Sequence, residues 1–170
     1  MTTSSIEADD RGLVVACPKC SQRNRLVYNR LGQKFRCAQC RTELGPPKEP
    51  IQVPDESAFD ALIRQSALPV LVDFWAPWCG PCRMVEPEVA KAAKAGEGRW
   101  VVAKVNTEQL PGLAQRLQIS AIPLMAVFKG HELAKKAGAM PAPAIQQFVE
   151  QAIQSISAES PSRSRPVGTE

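Results

Sequence analysis

The chain has 170 residues, of which 44% are hydrophobic, and a formal net charge of +4 at pH 7. This length allows one core of about 100 to 150 residues and a smaller appendage. No apolar stretch approaches the roughly 18 residues that a membrane-spanning helix needs, and the amino-terminal residues are polar and acidic, unlike those of a signal peptide. We therefore expect a cytoplasmic protein that does not associate with membranes.

The amino-terminal part is predicted to hold a disordered segment followed by a metal-binding domain. Residues 1–11 are mostly Ser, Thr and acidic residues with little to bury, which predicts disorder. Residues 12–45 contain two Cys-x-x-Cys units that are sixteen residues apart, which is the spacing of a four-thiolate zinc site. We predict a zinc ribbon whose folding depends on one structural Zn2+ ion, bound by Cys17, Cys20, Cys37 and Cys40.

The alternatives to this zinc site are a second redox centre and a pair of unrelated dithiols.

Between the two cysteine pairs, residues 25–36 predict a short hairpin. From residue 17 to residue 43 the ribbon carries seven cations against the single acid Glu43, and Tyr28 and Phe35 offer faces on which bases could stack. The cations are scattered rather than clustered, so a solvated surface is favoured and nucleic-acid binding is not expected.

Residues 46–50 contain three prolines and predict an extended, semi-rigid linker. The segment 51–156 is predicted to form one α/β domain, with a mixed central sheet flanked by helices. Its predicted elements are a short strand at 51–53, a helix capped by Asp55, strands at 70–75 and 100–105, helices at 83–95, 107–117 and 142–156, and a hairpin of strands 124–128 and 132–137. Residues 157–170 are rich in Ser, Pro and Arg, which predicts a disordered tail.

Redox chemistry is predicted for the segment Trp78-Cys79-Gly80-Pro81-Cys82, which follows the apolar strand. Two thiols three positions apart meet in a disulfide if Cys82 opens a helix and Cys79 lies at its N-terminal edge. The free N–H groups and the positive end of the helix dipole favour an anion, so Cys79 should ionise more readily than a free thiol and attack disulfides. Pro81 fits the first helical turn and Gly80 leaves the approach open. We therefore expect Cys82 to resolve the mixed disulfide formed on Cys79.

This motif, with Asp73 six residues before Cys79 and Ile122-Pro123 after a predicted helix, resembles the thioredoxin family. With the amino-terminal cysteine pairs, the resemblance narrows to the bacterial thioredoxin 2 type, which carries a zinc ribbon. It implies a thioredoxin fold over 51–156. It also implies a protein-disulfide reductase whose redox-active disulfide joins Cys79 and Cys82, with no organic cofactor.

The resemblance also implies roles for residues around the dithiol. Asp73 would be the buried acid that takes the proton of the resolving thiol, and Lys104 would be its neighbouring lysine. A desolvated carboxylate has a raised pKa and can accept a proton near neutral pH. Pro123 would be a cis-proline facing the dithiol, which leaves the backbone of Ile122 free to pair with a substrate strand.

Partners follow from the same resemblance, which implies thioredoxin reductase as electron donor and oxidised client proteins as substrates of a monomer. Trp78 would be a contact surface for these partners. Leu124 stands where the family commonly has threonine, so we expect a more apolar rim around the site and an altered substrate preference.

Two other function classes share some of these sequence features. A disulfide isomerase or oxidase of the same fold usually has a histidine between its cysteines, whereas this chain has Gly80 and Pro81, which favours a reductant. A zinc-dependent binding module or holdase would leave the dithiol without a role. The zinc site itself is either a passive structural cap or an oxidation sensor that loosens the 46–50 linker when its thiolates are oxidised.

Overall fold

The structure is a computed structural model that describes residues 6–158. Eight of its strands form one sheet, in the order β10-β9-β7-β8-β6-β1-β2-β3, and β4 pairs separately with β5. The strands are β1 (Ile6–Ala8), β2 (Gly12–Ala16), β3 (Arg23–Val27), β4 (Phe35–Arg36), β5 (Glu43–Leu44), β6 (Ile51–Gln52), β7 (Val70–Trp75), β8 (Val101–Asn106), β9 (Leu124–Phe128) and β10 (Glu132–Ala137).

The α-helices are α1 (Glu56–Gln65), α2 (Gly80–Ala95), α3 (Pro111–Arg116) and α4 (Ala142–Ala158). Helix α1 begins where predicted, because the Asp55 carboxylate accepts a hydrogen bond of 2.8 Å from the backbone N–H of Ala58. Helix α3 is shorter than predicted. Pro111 lies in its first turn and has no backbone N–H, so it cannot donate the hydrogen bond that a preceding helical turn would need. No helix in the described part of the chain is long and apolar enough to cross a membrane.

Strand β7 is covered on both faces, which explains its almost continuous apolar sequence. Val70, Val72 and Phe74 belong to the core shared with α1 and α3, whereas Leu71 belongs to the core shared with α2 and α4. β7 runs parallel to β8 and antiparallel to β9. The predicted α/β arrangement with a mixed sheet between helices is therefore confirmed, and it brings the C-terminal end of β7 to the start of α2.

The prediction of disorder for residues 1–11 is wrong for the part that the structure describes. Ile6–Ala8 form an inner strand, which pairs with β2 on one side and with β6 on the other. Ile6 and Ala8 are buried while Glu7 is exposed. This alternation extends over only three residues, too short a stretch to stand out against the polar residues that surround it.

The ribbon is also not separate from the rest of the fold. Strands β1 to β3 extend the main sheet beyond β6, and Leu13, Leu26 and Tyr28 share one hydrophobic core with Ile51 and Leu62. The predicted hairpin at 25–36 does not form, because β3 pairs with β2 and β4 pairs with β5. The two parts of the chain therefore support each other through backbone pairing and apolar contact.

The carboxyl-terminal helix has the predicted start and continues two residues further than predicted, to Ala158. Ile145, Val149 and Ala152 are buried in the core, but Ile156 is 38% exposed, so the predicted apolar face ends one turn early. The disordered tail predicted for 157–170 lies outside the described residues from 159 onward.

Candidate redox and metal sites

The dithiol lies at the N-terminus of α2, where the strand-to-helix turn places both cysteines. Cys79 is the residue immediately before the helix, and its sulfur is joined in a disulfide to that of Cys82. The backbone N–H of Cys82 donates a hydrogen bond of 3.2 Å to Cys79 Sγ. Once the disulfide is reduced, this N–H and the helix dipole favour a thiolate on Cys79.

The disulfide is buried, although exposed apolar side chains lie close to it in the chain. Cys79 and Cys82 are each 4% exposed, whereas Trp78 is 70% and Met84 78% exposed. A Cβ added at Gly80 would meet nothing within 4 Å, so the approach to the sulfurs over Gly80 is open. Access to the disulfide is therefore restricted to this opening and to the exposed side chains beside it.

The loop before β9 borders the same site. The Ile122–Pro123 peptide bond is cis, as the family resemblance implied, and Ile122 packs against the cluster of Ala76, Cys79 and Cys82. Leu124 is 7% exposed and belongs to the core under α1 and α3. It therefore adds little to the rim, contrary to the expectation from the sequence, and the apolar groups beside the disulfide are Ile122 and the exposed Trp78, which precedes Cys79.

Asp73 is the buried acid beneath the disulfide. It is 1% exposed, and its Oδ1 atom has no hydrogen-bond partner among the described residues. Desolvation raises the pKa of this carboxyl to about 7; Lys104 opposes the rise and Glu86 adds to it. Asp73 lines a cavity of about 320 Å³ together with Cys82, so the acid and the second thiol share one space.

Lys104 lies directly opposite Asp73 in the β7/β8 register, yet its ammonium group bonds elsewhere. Its Nζ atom donates a hydrogen bond of 2.9 Å to Glu86 Oε1 on α2 and lies 4.9 Å from the centre of the Trp75 ring. Glu86 belongs to no motif in the sequence and is a site residue that the sequence did not predict. Its position four residues after Cys82, on the same face of the helix, was the available signal.

The four remaining cysteines meet in one cluster. The Sγ atoms of Cys17, Cys20, Cys37 and Cys40 all lie within 4.8 Å of one another. The pairs Cys17–Cys40 and Cys20–Cys37 are 3.6 Å apart. Four sulfurs at about 2.3 Å from a tetrahedral Zn2+ ion are about 3.8 Å apart, so the cluster fits this metal.

Both cysteine pairs have the same backbone geometry. In the first, Cys17 O accepts from Ser21 N at 2.9 Å, and in the second, Cys37 O accepts from Arg41 N at 3.1 Å. Ser21 and Arg41 have positive φ angles of 63° and 65°. The two turns thus present two sulfurs each in the same way, which is how paired Cys-x-x-Cys turns surround one ion.

Two polar side chains lie next to the sulfurs, as is common around metal-binding thiolates. The Asn24 amide donates a hydrogen bond of 3.6 Å to Cys37 Sγ, and the Thr42 hydroxyl oxygen lies 3.1 Å from Cys40 Sγ. A donor such as the Asn24 amide orients a thiolate and offsets its negative charge.

The cysteine cluster and the disulfide lie at opposite ends of the sheet. β1, β6, β8 and β7 run parallel, and Cys79 follows the C-terminal end of β7. β2 is antiparallel to β1, so it carries Cys17 to the N-terminal end of the parallel strands. The ribbon sulfurs are therefore remote from the Cys79–Cys82 disulfide.

Comparison with known proteins identifies relatives for most of the chain. The thioredoxin family model matches residues 50–151. Thioredoxin C-3 of Corynebacterium nephridii is 37% identical over 144 residues, which cover 84% of this chain and 97% of that protein. Thioredoxin 1 of Chlorobaculum tepidum is 48% identical over 96 residues, 56% of this chain and 95% of that protein. A mutant thioredoxin from Halobacterium salinarum superposes with a TM-score of 0.57 at 29% identity, covering 62% of this chain and 92% of that one.

These matches extend beyond the dithiol motif in both directions. An alignment of 144 residues cannot fit within residues 50–170, so the similarity to the Corynebacterium protein reaches into the amino-terminal region. The family match, in contrast, begins just before β6 and ends within α4. With the disulfide at the N-terminus of α2 and the cis-proline beside it, the chain belongs to the thioredoxin family and is a protein thiol-disulfide oxidoreductase.

Proposed function

We propose that the chain works as a reductant of protein disulfides. The observation that carries this direction is the uncharged pair Gly80–Pro81 between the cysteines, which leaves the Cys82 N–H and the helix N-terminus to stabilise the Cys79 thiolate. A cation between the thiols would stabilise the reduced form and make the disulfide a stronger oxidant. Without one, the dithiol gives up its electrons more readily.

The first step is attack by the Cys79 thiolate on a substrate disulfide. A bond forms between Cys79 Sγ and one substrate sulfur, the substrate S–S bond breaks, and the other substrate sulfur leaves as a thiolate with the electron pair. Trp78 and Ile122 supply the apolar contacts that hold the substrate, and Pro123 lies next to the Ile122 backbone that would pair with an extended substrate segment.

The second step is resolution by Cys82. Asp73, with its pKa raised to about 7, takes the proton from the Cys82 thiol within their shared cavity. The Cys82 thiolate then attacks Cys79 Sγ, the mixed disulfide breaks, and the second substrate sulfur leaves as a thiolate. The substrate has gained two electrons and the chain holds the Cys79–Cys82 disulfide.

A thioredoxin reductase is proposed to restore the dithiol, and oxidised client proteins are the proposed substrates. Since a single chain supplies all residues of the redox site, we propose that it acts as a monomer.

The amino-terminal site is proposed to bind one structural Zn2+ ion through Cys17, Cys20, Cys37 and Cys40, as in the thioredoxin 2 type. Four thiolates would close the coordination sphere of the ion, which would supply folding energy and take no part in thiol exchange. The position at the far end of the sheet supports the structural role over the sensing role. Four cysteines that are not joined in disulfides also require a reducing environment, and we propose a cytoplasmic location on that ground.

Trapping of the mixed disulfide tests the order of attack. Cys82→Ser should accumulate a covalent adduct with an oxidised protein substrate, and Cys79→Ser should form none and reduce nothing. Stable adducts on Cys82 in the Cys79→Ser protein would reverse the assignment of the two thiols.

The role of Asp73 as the base is tested separately. Asp73→Asn should slow turnover at neutral pH and lose less activity at higher pH, where the Cys82 thiol ionises without help.

A further inference from the structure

Lys104 has two carboxylates within reach and is bonded to only one of them. Its side chain is 10% exposed and faces Asp73 across the β7/β8 pair, but its Nζ–Oε1 hydrogen bond of 2.9 Å goes to Glu86. Asp73 Oδ1 is left without a partner among residues 6–158. The buried ammonium group of Lys104 is therefore bonded to Glu86, the more exposed of the two acids.

The choice of partner matters because an ion pair with Lys104 would weaken Asp73 as a base. An opposite charge in direct contact lowers a carboxyl pKa by about 1 to 3 units. Desolvation raises the pKa of Asp73 most, the charge of Lys104 lowers it, and the charge of Glu86 raises it further. A group that keeps the ammonium away from Asp73 keeps its pKa near the range where it accepts a thiol proton.

We propose that Glu86 is a positioning residue, which holds the Lys104 ammonium on the outer side of the cavity so that Asp73 stays unpaired and able to take the proton of Cys82. This inference rests on the proposed role of Asp73 in the resolving step. Glu86 is suited to it because it lies one turn after Cys82 on α2, and it lines the same cavity as Asp73, Cys82 and Lys104.

The other charged groups around Asp73 do not compete for this role. Arg83 lines the cavity too, but its guanidinium donates a hydrogen bond of 2.6 Å to the Pro77 carbonyl oxygen. On the opposite side, the strand partner of Asp73 in β9 is the uncharged Met125. In the oxidised chain Cys79 and Cys82 are joined and do not titrate, so Asp73 can be followed without interference from the thiols.

The test is the pKa of Asp73 in the oxidised full-length chain, followed by carbon-13 NMR of labelled aspartate carboxyls. Glu86→Gln should lower it by about one pH unit, because the ammonium is released towards Asp73. Glu150→Gln is the matched control: Glu150 forms a similar ion pair with Arg99 at 3.1 Å, and its removal should leave the Asp73 titration in place. The low-pH limb of the resolution rate should move down with the pKa in Glu86→Gln alone.

A double-mutant cycle shows whether Glu86 acts through Lys104. If it does, Glu86→Gln should have little further effect on the Asp73 pKa in a Lys104→Met background. An unchanged Asp73 pKa in Glu86→Gln would overturn the inference, and so would a shift that persists in full without Lys104. A failure of the proposed base role would give a different result. Asp73→Asn would then leave the pH–rate profile of resolution unchanged, whether or not Glu86→Gln shifts the pKa of Asp73.

Discussion

Replacing Asp73 with asparagine should stabilise the fold, by an amount that depends on pH. The carboxyl has an ordinary pKa of 3.8, which burial raises to about 7 in the folded chain. Between these values the native state binds more protons than the unfolded state, so the free energy of unfolding falls as pH rises. Stability that is fully present below pH 3.8 is thus lost by the time the pH has passed 7.

The magnitude follows from the difference between the two pKa values. A difference of about three pH units corresponds to a loss of about 4 kcal/mol, at roughly 1.4 kcal/mol per unit. Asparagine has nearly the same shape and no charge, so Asp73→Asn avoids this loss. Its advantage over the parent chain should grow from small values near pH 4 to about 4 kcal/mol near pH 8.

Urea unfolding of the oxidised proteins at several pH values measures this difference. Asp60→Asn is the control, because Asp60 is a partly exposed acid on α1 that pairs with Arg116 at 2.8 Å. That variant should show no comparable gain towards high pH. A stability difference between Asp73→Asn and the parent chain that stays constant from pH 5 to pH 8 would refute the argument from desolvation.

Further predictions concern the metal, the shared core and the partner surface. The full chain should contain one zinc per molecule by elemental analysis, and a chelator should lower its melting temperature; an unchanged melting temperature after complete zinc loss would contradict a structural role. Tyr28→Phe should cost about 1 kcal/mol in urea unfolding, because the buried Tyr28 hydroxyl donates to the Asp9 carbonyl oxygen at 2.6 Å. Trp78→Ala should slow reduction of protein disulfides while a small disulfide reagent reacts at nearly the parent rate, and equal losses with both substrates would show that Trp78 acts on the thiol itself.

The sequence predicts the local geometry around the two cysteines well because its signals are local. The turn between Cys79 and Cys82, the Pro81 in the first helical turn and the Asp55 cap each depend on residues within a few positions. The cis-proline at Pro123 came from the family resemblance alone, since a cis bond leaves no mark in a single sequence.

The parts that sequence reasoning missed depend on distant contacts. Ile6–Ala8 become a strand because β6 and β2 offer edges on both sides, which no short pattern in a polar segment reveals. Tyr28, which in the sequence offers a face for stacking, is 1% exposed, so it cannot contact a base. The ion pair of Glu86 with Lys104 joins α2 to β8 and became visible only once the fold placed them together.

The proposal that the Cys79–Cys82 couple is a reductant is tested most directly by its reduction potential. Equilibration of the full chain with glutathione or dithiothreitol buffers, read out by thiol alkylation, gives the value. We predict a potential at or below the cytosolic glutathione range of about −220 to −260 mV. A value near −120 mV, which is that of a strong disulfide oxidant, would contradict the proposed function.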